Sequence, residues 1–330
     1  MAERPRWGWW QLSMELPEAL EDSLLWKLPE LGVHRLAVCH RPEPPLGREL
    51  VAWLPEAEWP LAARQALEEA LQPLGAPFDQ AMPPLRWEQV ADEDWSLSWK
   101  QHWRPDPIGE SLLVLPAWLE VPPEAAGRTV IRLDPGPAFG TGSHPSTRLC
   151  LEGMERLAAA RGSMGAPADA PLRGLRVADL GCGSGLLGLA ALALGADAVL
   201  AVDTDALAVA ATQENSALNG FSALSVRLGS AERLADLLAG QPADLLLCNI
   251  LAPVIAELSG WFGRLLAPQG LGLLSGLLVS QAEGLIATLG EAGWRATLSA
   301  CQEPWALLTI ERNDSSRPEA PNQSRLHKAH

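Results

Sequence analysis

Apolar and polar positions change rhythm several times along this chain. Residues 7–16, Trp-Gly-Trp-Trp-Gln-Leu-Ser-Met-Glu-Leu, alternate with the period of two that a half-buried strand requires. From Pro17 to Leu31 the period lengthens. Leu20, Leu24, Leu25 and Leu28 fall on one helical face, and Pro17 suits a first turn. Residues 33–40 and 49–54 return to strand patterns, Leu61 to Leu71 repeats the helical spacing, and a further strand is predicted near Leu85–Val90. The order β-α-β-β-α-β predicts a small ferredoxin-like α+β domain.

Residues 92–103 place Trp95, Trp99 and Trp103 four apart, the stripe of an interdomain helix packed on a neighbour, with ligand stacking as the alternative. Short strands at 111–121 and 128–133 lead into a glycine-rich segment, Asp134-Pro-Gly-Pro-Ala-Phe-Gly-Thr-Gly-Ser-His-Pro-Ser-Thr147. A helix is predicted from Ser146 to Ala160, and the Gly-, Ala- and Pro-rich stretch 161–174 reads as a surface connection. From Leu175 strands and helices alternate over 175–180, 186–194, 198–203, 205–218, 224–228, 243–249, 253–266, 271–275, 279–292, 294–300 and 305–311. That alternation predicts a doubly wound α/β sheet. The division expected is 1–91 for the ferredoxin-like domain, 92–110 for a linker helix, 111–312 for the α/β domain and 313–330 for a polar, disordered tail.

The bulk properties narrow the function. A chain of 330 residues exceeds the comfortable size of one core. Its net charge of −15 lacks the basic footprint that nucleic-acid binding needs. The acidity suits a basic protein substrate, or solubility alone. Five dispersed cysteines without a Cys-x-x-Cys pair point to a reducing compartment, with no disulfide framework and no structural zinc. Neither an export signal nor an apolar run long enough for a membrane span is visible, so a cytoplasmic protein is expected. Fourteen tryptophans, most of them before residue 120, read as fillers of a small core.

The chemistry concentrates at residues 177–185, Val-Ala-Asp-Leu-Gly-Cys-Gly-Ser-Gly. Side chains at Gly181, Gly183 or Gly185 would keep a nucleotide-like ligand off the backbone. Gly183-Ser-Gly185-Leu-Leu-Gly188 matches the dinucleotide fingerprint by letter, so context must choose the cofactor. A pyrophosphate sits on a helix N-terminus, where Asp179 would repel it. S-adenosylmethionine carries an ammonium, for which Asp179 supplies an acceptor, directly or through water. Capping of the turn by Asp179 is the structural alternative. Asp203 closes the next strand, where an acidic side chain accepts ribose hydroxyls of either cofactor, and Asp205 is expected to cap the following helix. Asn249 ends a buried strand at the carboxyl edge of the sheet. Its amide oxygen can accept from a substrate amine and aim the nitrogen lone pair for in-line displacement, with a turn-forming role as the alternative.

Three segments, DPGPAFGTGSHPST, VADLGCGSGLLGLAAL and NILAPVIAEL, resemble the bacterial PrmA family, as do DEDWSLSWKQHWRP and LLSGLLVSQAE. These are S-adenosylmethionine-dependent enzymes that methylate protein eleven of the large ribosomal subunit. The likeness covers most of residues 90–310 and is weak over the N-terminal domain. It implies a Rossmann-like class I methyltransferase domain, preceded by a ferredoxin-like domain that recognises the ribosomal protein and swings on the linker. It also implies cofactor contacts at Thr147, Gly181, Asp203 and Asn249, with Phe139 and Thr141 as further candidates lining the cofactor and methyl-transfer pocket. The residues themselves add Asp179 and Gly183 to the cofactor set and Asn249 as the catalytic group. The co-substrate would leave as S-adenosylhomocysteine, and neither a metal, a nucleic acid, a membrane nor a second subunit is expected. The methyl acceptors implied are lysine amines, with the N-terminal amine as a further candidate.

Ser143 and Ser146 stand where the family often has threonine, and the loop at 41–45, the 161–174 spacer and the tail look like additions. His144 reads as a loop-shaping residue before Pro145, with general base as its alternative. Methylation of another protein or of a nucleic-acid base is the rival activity. A base-methylating enzyme places aromatic residues after the asparagine to stack a flipped base, whereas Ile250, Leu251 and Ala252 follow here. An NAD-dependent oxidoreductase is disfavoured by Asp179, and a silent cofactor-sensing protein by intact Asp203 and Asn249.

Overall fold

A computed structural model describes residues 8–17, 20–33, 36–40, 48–78, 80–90, 104–134 and 144–313. The chain divides into two compact units. One comprises Met1–Asp106, Val114–Ala126 and Arg132–Phe139; the other comprises Pro107–Leu113, Gly127–Ile131 and Gly140–His330.

In the first, β1 (Trp9–Glu15), α1 (Glu21–Glu30), β2 (Leu36–His40), β3 (Arg48–Pro55), α2 (Leu61–Leu71) and β4 (Arg86–Val90) follow the predicted order. The sheet runs β2-β3-β1-β4 with every pair antiparallel, the ferredoxin-like arrangement. Alternation decides which face is buried. Leu12 and Met14 lie opposite Ala52 and Leu50, and all four pack with Leu24 and Leu28 of α1 and Leu67 and Leu71 of α2. Each such leucine contributes roughly 1.5–3 kcal/mol through its burial. The first helix starts later than its spacing predicts. Pro17 closes a turn through its carbonyl to the Leu20 amide at 3.0 Å, and the helix begins at Glu21.

Three short strands, β5 (Asp106–Ile108), β6 (Leu112–Pro116) and β7 (Thr129–Leu133), pair in that order, so the linker helix expected over 92–110 has given way to strand by Asp106. The strand predicted over 111–121 stops at Pro116, whose ring removes a ladder donor.

The second unit is built on a seven-stranded sheet. Its strands are β8 (Arg176–Leu180), β9 (Ala198–Asp203), β10 (Leu224–Leu228), β11 (Ala243–Asn249), β12 (Leu266–Leu278), β13 (Trp294–Gln302) and β14 (Trp305–Arg312). The order β10-β9-β8-β11-β12-β14-β13 is parallel up to β12 and antiparallel beyond it. Its helices are α3 (Pro145–Ser163), α4 (Leu186–Ala193), α5 (Ala206–Leu218), α6 (Ala231–Leu238), α7 (Ala252–Leu258), α8 (Phe262–Leu265) and α9 (Val279–Glu291). Leu245 to Cys248 of β11 form a continuous buried run, as a strand covered on both faces requires. Strand order reverses between β8 and β11, and such switch points are where open α/β sheets bind ligands.

Boundaries in the second unit also differ from the sequence reading. The helix predicted over 253–266 breaks into α7, a 3₁₀ turn at Ser259–Trp261 and the four-residue α8. Gly260 and Gly263 lower the helical preference there. Strand β12, predicted over 271–275, already pairs at Leu266 and then shifts register, so the polar Pro268-Gln269-Gly270 stretch hides its start. Helix α3 also runs three residues past its predicted end, to Ser163. Trp95, Trp99 and Trp103, Phe139 and Thr141, and the tail beyond Asn313 lie outside the described residues. Among the described residues no helix is long and apolar enough to cross a membrane.

Candidate functional site

The glycine turn joins β8 to α4 at the switch point. Gly181, Gly183 and Gly185 have φ of +78°, +55° and +83°, a left-handed path that disfavours any residue with a Cβ. Neighbouring elements hold this path. The amides of Gly181 and Cys182 both donate to the Val202 carbonyl, at 3.0 and 3.1 Å. From α5, the Thr212 hydroxyl donates to the Gly183 carbonyl and the Asn215 amide to the Ser184 carbonyl, each at 3.0 Å. Thr212 and Asn215 are themselves fully buried.

Asp203 ends β9 facing the turn. One carboxylate oxygen accepts the Gly183 amide at 2.8 Å and the other accepts the Asp205 amide at 3.0 Å. Each oxygen keeps a second lone pair for a ligand hydroxyl. The side chain is half-buried, so it is both fixed and reachable. Asp205 is the N-cap of α5, accepting from the Leu207 amide at 2.8 Å.

Asp179 lies beneath the turn, 1 % exposed. Its Oδ2 accepts the Gly188 amide at 3.0 Å and ties the end of β8 to the first turn of α4. Gly188 permits that approach, since a Cβ there would stand 3.1 Å from the same oxygen and 2.8 Å from Val199. The other oxygen, Oδ1, is buried and has no hydrogen-bond partner among the described residues. Burial raises the carboxyl from 3.8 to about 7, the Gly188 amide opposes that rise, and the like charge of Asp203 adds to it. An unpaired buried acceptor costs about 1–3 kcal/mol, which a donating ligand group recovers.

Asn249 ends β11, beside β8, and is half-buried. Its Nδ2 donates to the Thr147 hydroxyl at 3.1 Å across a sequence separation of 102 residues. That bond leaves the amide oxygen available as an acceptor. Thr147, 2 % exposed, sits in the first turn of α3, whose N-cap is His144. His144 Nδ1 accepts from the Ser146 amide at 3.3 Å and pairs with the Ser146 hydroxyl at 2.7 Å. Its ring meets Trp305 edge-on, with centroids 4.6 Å apart. Two glycines lie close against Ile250, the residue after Asn249. A Cβ at Gly181 would fall 2.5 Å from the Ile250 side chain, and one at Gly276 would fall 2.4 Å from the Ile250 carbonyl oxygen.

The site therefore joins a left-handed glycine turn, a carboxylate at the end of each of two adjacent strands and an oriented amide on the next strand. A family model described as "Ribosomal protein L11 methyltransferase (PrmA)" matches residues 8–313 of this chain. The chain belongs to the ribosomal protein L11 methyltransferase family. Among its relatives, a ribosomal protein L11 methyltransferase of Synechococcus sp. (strain RCC307) is 59 % identical over 306 residues, covering 92 % of this chain and 97 % of the relative. One of Synechococcus elongatus is 41 % identical over 307 residues, with the same coverage of 92 % and 97 %. A crystal structure of a ribosomal protein L11 methylase from Lactobacillus delbrueckii subsp. bulgaricus aligns with a TM-score of 0.54 at 32 % identity. It covers 64 % of this chain and all of that one.

For a member of this family, the structure brings Asp179, Gly181, Gly183, Asp203, Thr147 and Asn249 into one region of the second unit. Sequence reasoning passed over Thr212, Asn215 and Gly276. A signal for the first two was present: polar residues three apart on the helix face that should be apolar, in Ala206-Leu-Ala-Val-Ala-Ala-Thr-Gln-Glu-Asn215. The buried thiols of Cys150, Cys182 and Cys248 surround the same region, and burial pushes all three up, Cys150 to about 12. They stay protonated and inert.

Proposed function

We propose that this chain transfers a methyl group from S-adenosylmethionine to lysine amines of ribosomal protein L11, with the N-terminal amine of that protein as a second acceptor. The observation that carries the reading is Asn249, its amide turned by Thr147 so that an oxygen remains to accept an amine N–H. Family membership supplies the acceptor protein. The ferredoxin-like domain over residues 1–91 recognises that protein, and the linker at 92–110 joins it to the transferase domain over 111–312. A monomer in the cytoplasm is the working form.

The residues fit the co-substrate. The orphaned Oδ1 of Asp179 suits its ammonium, the free lone pairs of Asp203 suit its ribose hydroxyls, and the Cβ-free turn lets its body approach the backbone. Phe139 and Thr141 complete the pocket in this reading. When bound, S-adenosylmethionine supplies a methyl group already activated on a sulfonium, so no metal is called for. The chain's task is positioning. Asn249 Oδ1 accepts one N–H of the neutral amine and leaves the lone pair directed along its line of attack. A lysine amine has an ordinary pKa of about 10.4, so it must first lose a proton. Desolvation favours that loss, and water takes the proton. His144 has its Nδ1 engaged with Ser146, which supports its role as a cap.

Incubation with methyl-labelled S-adenosylmethionine and undermethylated ribosomal particles tests the reading. Label is expected in protein L11; label in RNA, or in no protein band, overturns it. Asn249→Ala is expected to cut turnover far more than co-substrate affinity.

A further inference from the structure

Asp179 is placed for more than tying a turn. It stands at the end of β8 with one oxygen bonded to the Gly188 amide and the other buried and unpaired. Among the described residues, the groups acting on it offer no counter-charge. Asp203, at the end of the neighbouring β9 and two residues beyond Ala201, its register partner, is of like sign. Its other titratable neighbours among the described residues are Cys150 of α3, Cys182 of the turn and Cys248 of β11, all held as neutral thiols. A bare carboxylate in such a place is costly, and the acid form is the cheaper one. The same carboxyl becomes cheap to ionise once a cation lies beside it.

Resting on the S-adenosylmethionine reading above, we propose that Asp179 keeps a proton in the empty site and gives it up to solvent when a ligand's ammonium docks beside it. Binding of an amine-bearing nucleoside then releases a proton, whereas a nucleoside without the amine releases none. Asp179 becomes a specificity-determining residue that rewards the amino-acid end of the ligand only after paying out its proton. The bookkeeping closes simply: one O–H of Asp179 breaks, the proton passes to buffer, and the ammonium keeps all of its own.

The pH dependence follows from burial raising this carboxyl to about 7. Below that value the empty site is protonated, and affinity for the cation increases with pH. Between pH 6 and pH 7 the gain is about fivefold by linkage. At higher pH the ligand's own amine loses its proton and affinity falls again.

Calorimetric titration of the whole chain with S-adenosylhomocysteine at pH 6, in buffers of different ionisation enthalpy, counts the protons. Release of about 0.9 proton per ligand is expected there, since the ligand's amine is fully charged at that pH. 5′-Methylthioadenosine, which lacks the amino-acid end, is expected to bind the same protein with no proton released. Asp179→Asn is expected to bind S-adenosylhomocysteine without release at pH 6. If S-adenosylhomocysteine binds with no buffer dependence, or 5′-methylthioadenosine releases the same proton, the inference is overturned while the co-substrate reading stands. Failure of S-adenosylhomocysteine to bind at any pH overturns that reading and the inference with it.

Discussion

Replacing Gly276 with alanine tests whether backbone packing holds the segment that carries Asn249. Gly276 lies in β12 where the pairing with β14 shifts register, and its φ is +81°. A Cβ built there stands 2.4 Å from the Ile250 carbonyl oxygen and 2.8 Å from both the carbonyl carbon and the nitrogen of Ile250. These are main-chain atoms one residue from Asn249, so no rotamer change relieves the overlap. A carbon–oxygen contact settles near about 3.3 Å, so the segment must retreat by roughly 0.9 Å. A displacement of that order at a positioned group costs about a hundredfold in rate. Stability suffers as well. Left-handed strain costs roughly 1–2 kcal/mol and overpacking about 1–3 kcal/mol more.

Gly293→Ala is the control. Its φ is +87°, yet a Cβ there has nothing within 4 Å among the described residues, so it carries the strain without the contact. Urea midpoints of both variants, and turnover on ribosomal protein L11 at saturating co-substrate, separate the two contributions. Gly293→Ala is expected to lose stability and keep its turnover. Gly276→Ala is expected to lose more stability and one to two orders of magnitude in turnover. Equal midpoints and equal turnover for the two variants would refute the close-approach argument.

Thr147→Val removes the hydroxyl that orients Asn249 and is expected to lower kcat about tenfold, a loss near 1.4 kcal/mol, with co-substrate KM little changed. Thr147→Ser should restore most of it, and a valine variant as fast as the parent would remove Thr147 from the site. Asp203→Asn leaves one acceptor where two backbone amides are now held, and S-adenosylhomocysteine affinity, read by titration, is expected to fall at least tenfold for a charged bond worth about 1.5–3 kcal/mol. His144→Gln is expected to keep the acidic limb of the pH–rate profile, where a base loses its function on protonation; loss of that limb would make His144 the base. In the ligand-free protein, the raised Asp179 carboxyl means that the folded state holds more protons than the unfolded state between pH 4 and 7. Stability therefore falls as pH rises through that window. Urea midpoints at pH 5 and pH 7.5 should show this fall in the parent protein and lose part of it in Asp179→Asn.

The two larger sheets were legible in the sequence because their periods differ. Period-two alternation in residues 7–16 and continuous apolar runs such as Leu245–Cys248 mark one sheet covered on one face and another covered on both. The start of β12 was not legible. Its pairing begins at Leu266 and crosses Pro268, Gln269 and Gly270, a stretch that reads as a turn because a register shift absorbs it. The helix over 253–266 failed for a related reason. Apolar spacing continues through Trp261 and Phe262, but Gly260 and Gly263 remove the preference that would keep one axis.

The site was legible residue by residue and illegible as an arrangement. Asp179, Asp203 and Asn249 each stand at a strand end, a position that the apolar runs before them disclose. What spacing cannot disclose is the partner that sets each one's role. Asp179 can meet an ammonium or cap a turn by sequence alone; the structure shows one oxygen doing the tying, at Gly188, and the other left over. Those two uses do not compete, since a carboxylate has two faces. Asn249 poses the sharper case. A primary amide presents either a donor or an acceptor to its substrate, and only an acceptor suits an amine that must keep its lone pair for attack. Thr147, 102 residues away on a different element, takes the Nδ2 side and leaves the oxygen. The choice of chemistry at this site is therefore a tertiary property: it depends on α3 beginning at Pro145 behind the His144 cap, which places Thr147 in the first helical turn against the end of β11.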